Sequence, residues 1–268
     1  MKKLSIILFA FILIASACSK DEEEETPEVK ALNPTSAQKG FSIEYTSTTC
    51  SLCGHYGGPT LHQFAKDAPH SVVIALHVNA SDPMANNSLS YGFSNDRPSG
   101  GGIPSFWIAD KKSDMKDAGA MKAYIAANGT AIAGIDLKYT KEGSSMKIET
   151  LTKFFSAGTG DYYLSVYILE DGIDGSSKAG TGYVQPGTSQ SYPNDDYKHD
   201  FVIRAASANN NVMGEKIMTN PASGKEITKN YTIPLDAAWT HKLYAVAVLW
   251  KYDASATIKY SYVNAMRK

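Results

Sequence analysis

Residues 41–54, FSIEYTSTTCSLCG, limit what this chain can fold into more than any other stretch. A short apolar alternation (Phe41, Ile43, Tyr45) runs into a Ser/Thr cluster and delivers Cys50 and Cys53. The pattern predicts a strand, a brief connection, and a helix whose first turn carries both cysteines. Residues three apart on a helix share a face, close enough to close a small disulfide ring. The unpaired N–H groups and the positive end of the helix dipole favour a thiolate on the earlier residue. Cys50 is therefore the candidate attacking thiol and Cys53 the resolving one. Other chemistries compete for the same pair. A c-type haem site needs His directly after the second cysteine, and Gly54 stands there. Zinc needs two further ligands; His55 and His62 are near, but the chain has no second C-x-x-C and no closely spaced His pair. A disulfide that only staples an exported domain stays open beside the redox reading.

The first residues decide the compartment. Met1-Lys2-Lys3 followed by LSIILFAFILIA is a charged segment and an apolar one too short to span a bilayer. It ends in Ala15-Ser16-Ala17-Cys18, which resembles a bacterial lipobox. That resemblance implies a signal peptide over residues 1–17, cleavage before Cys18 and acylation of that cysteine. Cleavage after Ala17 by an ordinary signal peptidase is the alternative and would leave a free Cys18. With a lipid on Cys18, the three cysteines become one anchor and one pair. Lys20 and the five acids Asp21–Glu25 cannot pack and read as a solvated tether continuing through Pro27 and Pro34 to Lys39. They are similar to the export signal of Bacteroidota surface lipoproteins; a plain spacer with periplasmic display is the other reading.

Beyond the cysteines, Leu61, Phe64, Ala65 and Ala68 recur at helical spacing, with Pro59 at the start and Pro69 ending the run. Ser71–Val78 is near-continuously apolar, as a strand buried on both faces requires. Strand, helix and strand make a βαβ unit. His77, at the polar end of that run, reads as a satisfied edge histidine. Residues 79–102 are irregular and read as an inserted loop or lid. Phe106–Ile108 is the next strand, and Met115–Asn128 a closing helix. With Gly102-Ile103-Pro104-Ser105 after a glycine run, these residues resemble thioredoxin-like domains. The resemblance implies a cis Ile103–Pro104 bond facing the cysteines and docking a client strand. It also gives Glu44, six residues before Cys50, a role in moving protons from beneath them, where burial would raise its pKa. The alternative is a Glu on the exposed face of an alternating strand. The chain departs from the thioredoxin pattern: Thr49 replaces the usual tryptophan, and Ser51-Leu52 replaces Gly-Pro.

The remainder changes character. Residues 135–139 and 146–151 alternate around Gly143-Ser144 as a hairpin. Residues 162–169, 201–204, 227–233, 243–250 and 258–263 are further strands, predicting an antiparallel β-sandwich. The fold class expected is therefore an α/β thioredoxin-like domain over residues 40–130, followed by an all-β sandwich over 131–268. Acids in residues 171–196 fit no calcium-loop register, so a solvated loop is the reading. No metal or cofactor is expected. The net charge is −1, and −3 once Lys2 and Lys3 are removed; with no basic patch or nucleic-acid motif, nucleic acid is not an expected partner.

Taken together, Glu44-Tyr45-Thr46, Cys50–Cys53, Gly102–Ser105, Tyr197–Arg204, Gly214–Ile217 and Val246–Trp250 resemble the outer-membrane-protein-28 family of Bacteroidota surface lipoproteins. Membership implies an outer-membrane address through the N-terminal lipid. Two functions of different class follow. One is thiol–disulfide exchange on exported protein clients by Cys50 and Cys53, with Glu44 shuttling protons and Ile103-Pro104 docking the client. The other is a non-enzymatic surface binding or adhesion protein whose Cys50–Cys53 disulfide is structural.

Overall fold

The apolar alternation forms β1 (Phe41–Thr46), and the continuous apolar run forms β2 (Val72–His77), parallel to it with Phe41 opposite Val72. Both strands are buried along their whole length: the apolar run of β2 requires it, whereas β1 buries Ser42, Glu44 and Thr46 along with its apolar residues. The computed structural model describes residues 31–113, 117–187 and 195–268; Cys18, the signal and acidic segments, and Met115 lie outside the described residues. A π-helical turn at Cys53–Gly57 leads into α1 (Gly58–Asp67), with Pro59 in its first turn where the missing N–H costs nothing. After β2 come α2 (Asn87–Asp96), β3 (Ser105–Ile108), β4 (Lys111–Ser113) and α3 (Ala120–Asn128). The hairpin appears as β5 (Ala133–Glu142) and β6 (Ser145–Phe154). Then follow β7 (Asp161–Asp171), β8 (Ile173–Asp174), β9 (Lys198–His199), β10 (Val202–Ala206) and β11 (Glu215–Thr219). β12 (Glu226–Pro234), β13 (Lys242–Tyr252) and β14 (Tyr260–Arg267) complete the chain.

The strands from 133 onward do build two layers. One face of β7 and β13, with Leu164, Val166, Ile168, Ala245, Ala247 and Leu249, packs on the sheet β12-β6-β5. The expected boundary near residue 130 does not divide the sheets, however. A single sheet runs β14-β13-β7-β10-β2-β1-β3-β4, joining strands from both sides of that boundary. β10 supplies the join: Val202 lies opposite Ala75, and the Ala75 N–H donates to Phe201 O at 2.9 Å. The free edge of β2 leaves buried backbone N–H and C=O groups in need of partners, and β10 meets it there. Residues 32–268 accordingly form one compact unit.

The sheet curls on itself. Phe41 of β1 meets Trp250 of β13 edge-on at 5.0 Å, though three strands separate them in the sheet. Leu89 and Phe93 of α2, both fully buried, pack in the same core. The segment expected to be a lid is thus a core helix. Asn86 caps it, accepting the N–H groups of Ser88 and Leu89, and burying each large apolar side chain contributes roughly 1.5–3 kcal/mol. Arg97, at its end, is wholly buried and bridges the two halves of the chain. Its Nε donates to Ala109 O at 3.0 Å and Nη2 to Tyr260 O at 2.7 Å; it pairs with Asp96 and Asp110 and lies over the Trp250 ring.

The tether is shorter than expected. Residues 33–39 dock on the C-terminal strands: the Asn33 N–H donates to Asp136 at 2.8 Å, and the Lys39 N–H donates to Asn264 Oδ1 at 2.9 Å. Burial acts to raise the Asp136 carboxyl, but the Asn33 N–H and Lys268 outweigh it and hold the group below its usual range.

Candidate functional site

Cys50 and Cys53 are joined in a disulfide at the mouth of the helix. The two sulfurs have unequal surroundings: Cys50 is half-buried, whereas Cys53 is 1% exposed. The Cys53 N–H donates to Cys50 Sγ at 3.1 Å, the helix-start donor that favours charge on that sulfur. On the outer side, Cys50 Sγ lies 3.6 Å from Ile103 O. The Ile103–Pro104 bond is cis. The loop that carries it is fastened to β3, with Ser105 Oγ donating to Ser99 O at 2.9 Å and Trp107 Nε1 to Pro98 O at 3.1 Å. A depression of about 310 Å³ lies beside it, lined by Ser99, Gly102, Ile103, Pro104 and Lys112.

Glu44 sits under the π-helical turn. It is 1% exposed, and burial pushes its carboxyl up to about 8, against the opposing hydrogen bond from Thr46. Glu44 Oε1 has no protein hydrogen-bond partner. Gly57, one helical turn beyond Cys53, makes room for it: a Cβ there would overlap Oε1 and come within 3.2 Å of Pro104 Cβ. The sequence thus brings Cys50, Cys53, Glu44, Ile103 and Pro104 to one place.

Behind Glu44 lies a set of residues that the sequence reading missed or left without a role. His77, at the end of β2, is buried rather than at an edge, and its Nδ1 is 2.7 Å from Asp82 Oδ2. Asp82 also accepts the N–H groups of Thr48 at 2.7 Å and Met84 at 2.9 Å, pinning the approach to Cys50. Burial works to raise Asp82, and these partners outweigh it, so its carboxyl lies below the usual range. His199 packs on both His77 and Tyr197. Burial, then the His77 charge, push its pKa down to about 4. Neutral His199 donates from Nε2 to Tyr183 O at 2.8 Å. A strap from the C-terminal half closes the other flank: Gln185 Nε2 donates to Cys50 O at 3.0 Å, and Gly54 and Gly187 lie against Pro186 O and Ser51 O with no space for a Cβ. Tyr197, His199 and Gln185 come from more than 130 residues downstream; the first two lie in the Tyr197–Arg204 stretch that carries the family resemblance, but nothing local places any of the three beside the cysteines. His55 meets Tyr56 edge-on while His62 faces Asp200, and among the described residues no group of three or more His, Cys, Asp and Glu side chains is placed to hold a metal.

A disulfide between half-buried Cys50 and buried Cys53, above a buried carboxyl whose pKa is raised, thus sits on a β-rich scaffold. The family model for outer membrane protein Omp28 matches residues 101–264, more than half of the 268-residue chain. This chain belongs to the Omp28 outer membrane protein family. The matched segment takes in Pro104 and the strap and begins after the cysteines. Among solved structures, HBP35 of Porphyromonas gingivalis is similar at TM-score 0.65 and 16% identity, covering 87% of this chain and 75% of that one. At that identity the likeness concerns the fold. No curated protein matches the chain. Among the described residues no helix is long and apolar enough to cross a membrane.

Proposed function

We propose that the chain is an outer-membrane lipoprotein, anchored through Cys18 and displayed at the cell surface, whose thioredoxin-like part exchanges thiols and disulfides with exported proteins. The observation that carries this reading is the asymmetry of the pair: Cys50 is reachable beside Ile103 O, while Cys53 is enclosed on the turn above the Glu44 carboxyl. In the closed state a client thiolate attacks Cys50 Sγ, the Cys50–Cys53 bond breaks, and Cys53 leaves as a thiolate that takes a proton from Glu44. The client's second thiolate then attacks its own sulfur in the mixed disulfide and releases Cys50. Two electrons pass to the protein, and the client gains a disulfide. The reverse sequence reduces a client, with Glu44 receiving the Cys53 proton as Cys53 resolves the adduct. Direction follows the relative potentials of protein and client. Ile103 and Pro104 border the depression that receives the client backbone.

Cys53→Ala tests this. Attack by Cys50 survives in that variant and resolution does not, so mixed disulfides accumulate on Cys50 in cells and are identified by mass spectrometry. A variant recovered free of adducts contradicts exchange. One observation favours the second reading, a binding protein with a structural disulfide: the Gln185–Gly187 strap grips the cysteine turn as a staple would be gripped. That reading predicts no adducts and only a loss of about 2–4 kcal/mol or less when the bridge is removed.

A further inference from the structure

Glu44 is sealed from solvent, yet the proposed exchange requires it to gain and lose a proton. The way out is visible behind it. A cavity of about 10 Å³ is walled by Glu44, Thr46, His62, Tyr197, His199 and Asp200. That volume, with several polar groups on the wall, suits one water molecule. Of the wall's titratable side chains, His62 is the only exposed one, at 46%; its Nε2 lies 3.4 Å from Asp200 Oδ2. Asp200 is itself fixed, accepting the Gly172 N–H at 2.6 Å, and the His62 ring rests on Phe201. The other candidates close the path. His77 and Asp82 are bonded to each other and buried, so they lead nowhere. His199 holds its Nε2 proton on Tyr183 O and resists taking a second, and burial and the Glu44 charge keep the Tyr197 hydroxyl protonated.

We propose that the His62–Asp200 pair is the proton outlet of Glu44, working through a single water held in this cavity. The water accepts the carboxyl proton as it hands one of its own to His62, and His62 releases a proton to bulk water, so water and imidazole end neutral and the one charge left is the Glu44 carboxylate. Asp200 holds the ring and offsets its transient positive charge. The inference rests on the reading that Glu44 moves protons, and its test keeps the disulfide closed so that redox activity does not enter.

In the mature chain with 13C-labelled glutamate carboxyls, the Glu44 resonance is followed through its titration near pH 8. The wild-type protein gives one averaged line. In His62→Leu the midpoint stays in place while proton exchange slows at least about a hundredfold, giving separate lines for the protonated and ionised forms. Added imidazole restores averaging by carrying the proton in place of the missing ring. An averaged line in His62→Leu, or slowing that imidazole does not relieve, overturns the proposal; so does a Glu44 that does not titrate in this range. Failure of Cys53→Ala to trap adducts, with these spectra as expected, overturns the exchange reading alone.

Discussion

A carboxyl enclosed between β1 and the cysteine turn is stable while it keeps its proton and costly once it loses it. Glu44 titrates near 4.5 unfolded and about 8 folded, so the folded protein holds a proton that the unfolded chain gives up. The stability this supplies is complete below about pH 4.5 and is lost as pH rises through 8. Glu44→Gln removes that slope. Relative to the wild-type protein, the variant gains on the order of a few kcal/mol between pH 5 and pH 9. Urea denaturation at several pH values measures it, and parallel curves for the two proteins would show Glu44 solvated instead. His199 acts in the opposite sense: its folded pKa is about 4, so the stability it contributes is present above the usual histidine range and falls as pH drops through 4. Its protonation contributes to the acid limb, together with that of Asp82 and Asp136, and deprotonation of Glu44 contributes to the alkaline one.

At the scale of elements, α2 separates a core helix from a lid. Phe93→Ala is expected to cost about 3–5 kcal/mol, because the side chain is fully buried against Tyr167 in the central core. A midpoint shift of less than about 1 kcal/mol in chemical denaturation would mean that the segment closes over the surface instead. The helix was hidden because Asn87–Asp96 is rich in Ser, Asn and Gly, with only Leu89, Tyr91 and Phe93 as apolar residues. Its one strong local signal was the cap at Asn86. β1, β2, α1 and the β5–β6 hairpin were legible because each carries a clear apolar period or run. β4, β8, β9 and β11 were not: they are two to five residues long with no clear apolar period; β4 folds back on β3, while β8, β9 and β11 pair with strands distant in the chain. The same distinction governs the site. Cys50, Cys53, Glu44 and Pro104 belong to short recognisable stretches, while Gln185, Tyr197 and His199 gain their positions only from the tertiary fold.

The molecule as a whole is held across the boundary that its composition suggested. Tyr167, Val246 and Trp250 face Phe41, Leu89 and Phe93 rather than water, and Arg97 ties Ala109 to Tyr260. Residues 131–268 produced alone are therefore expected to remain unfolded, with no cooperative transition by circular dichroism. A cooperatively folded fragment would restore two independent domains. The Cys50–Cys53 bond reports on the whole fold in the same way, since its potential measures how strongly the folded chain prefers the disulfide to the dithiol. Reduction to the dithiol places a thiol on Cys53 in an enclosed site and leaves Cys50 half-exposed beside Ile103 O. Equilibration of the protein with dithiothreitol buffers, read by alkylation and mass, gives that potential. An exchange-competent pair lies above about −300 mV; a value well below it would mark an inert staple and contradict the account.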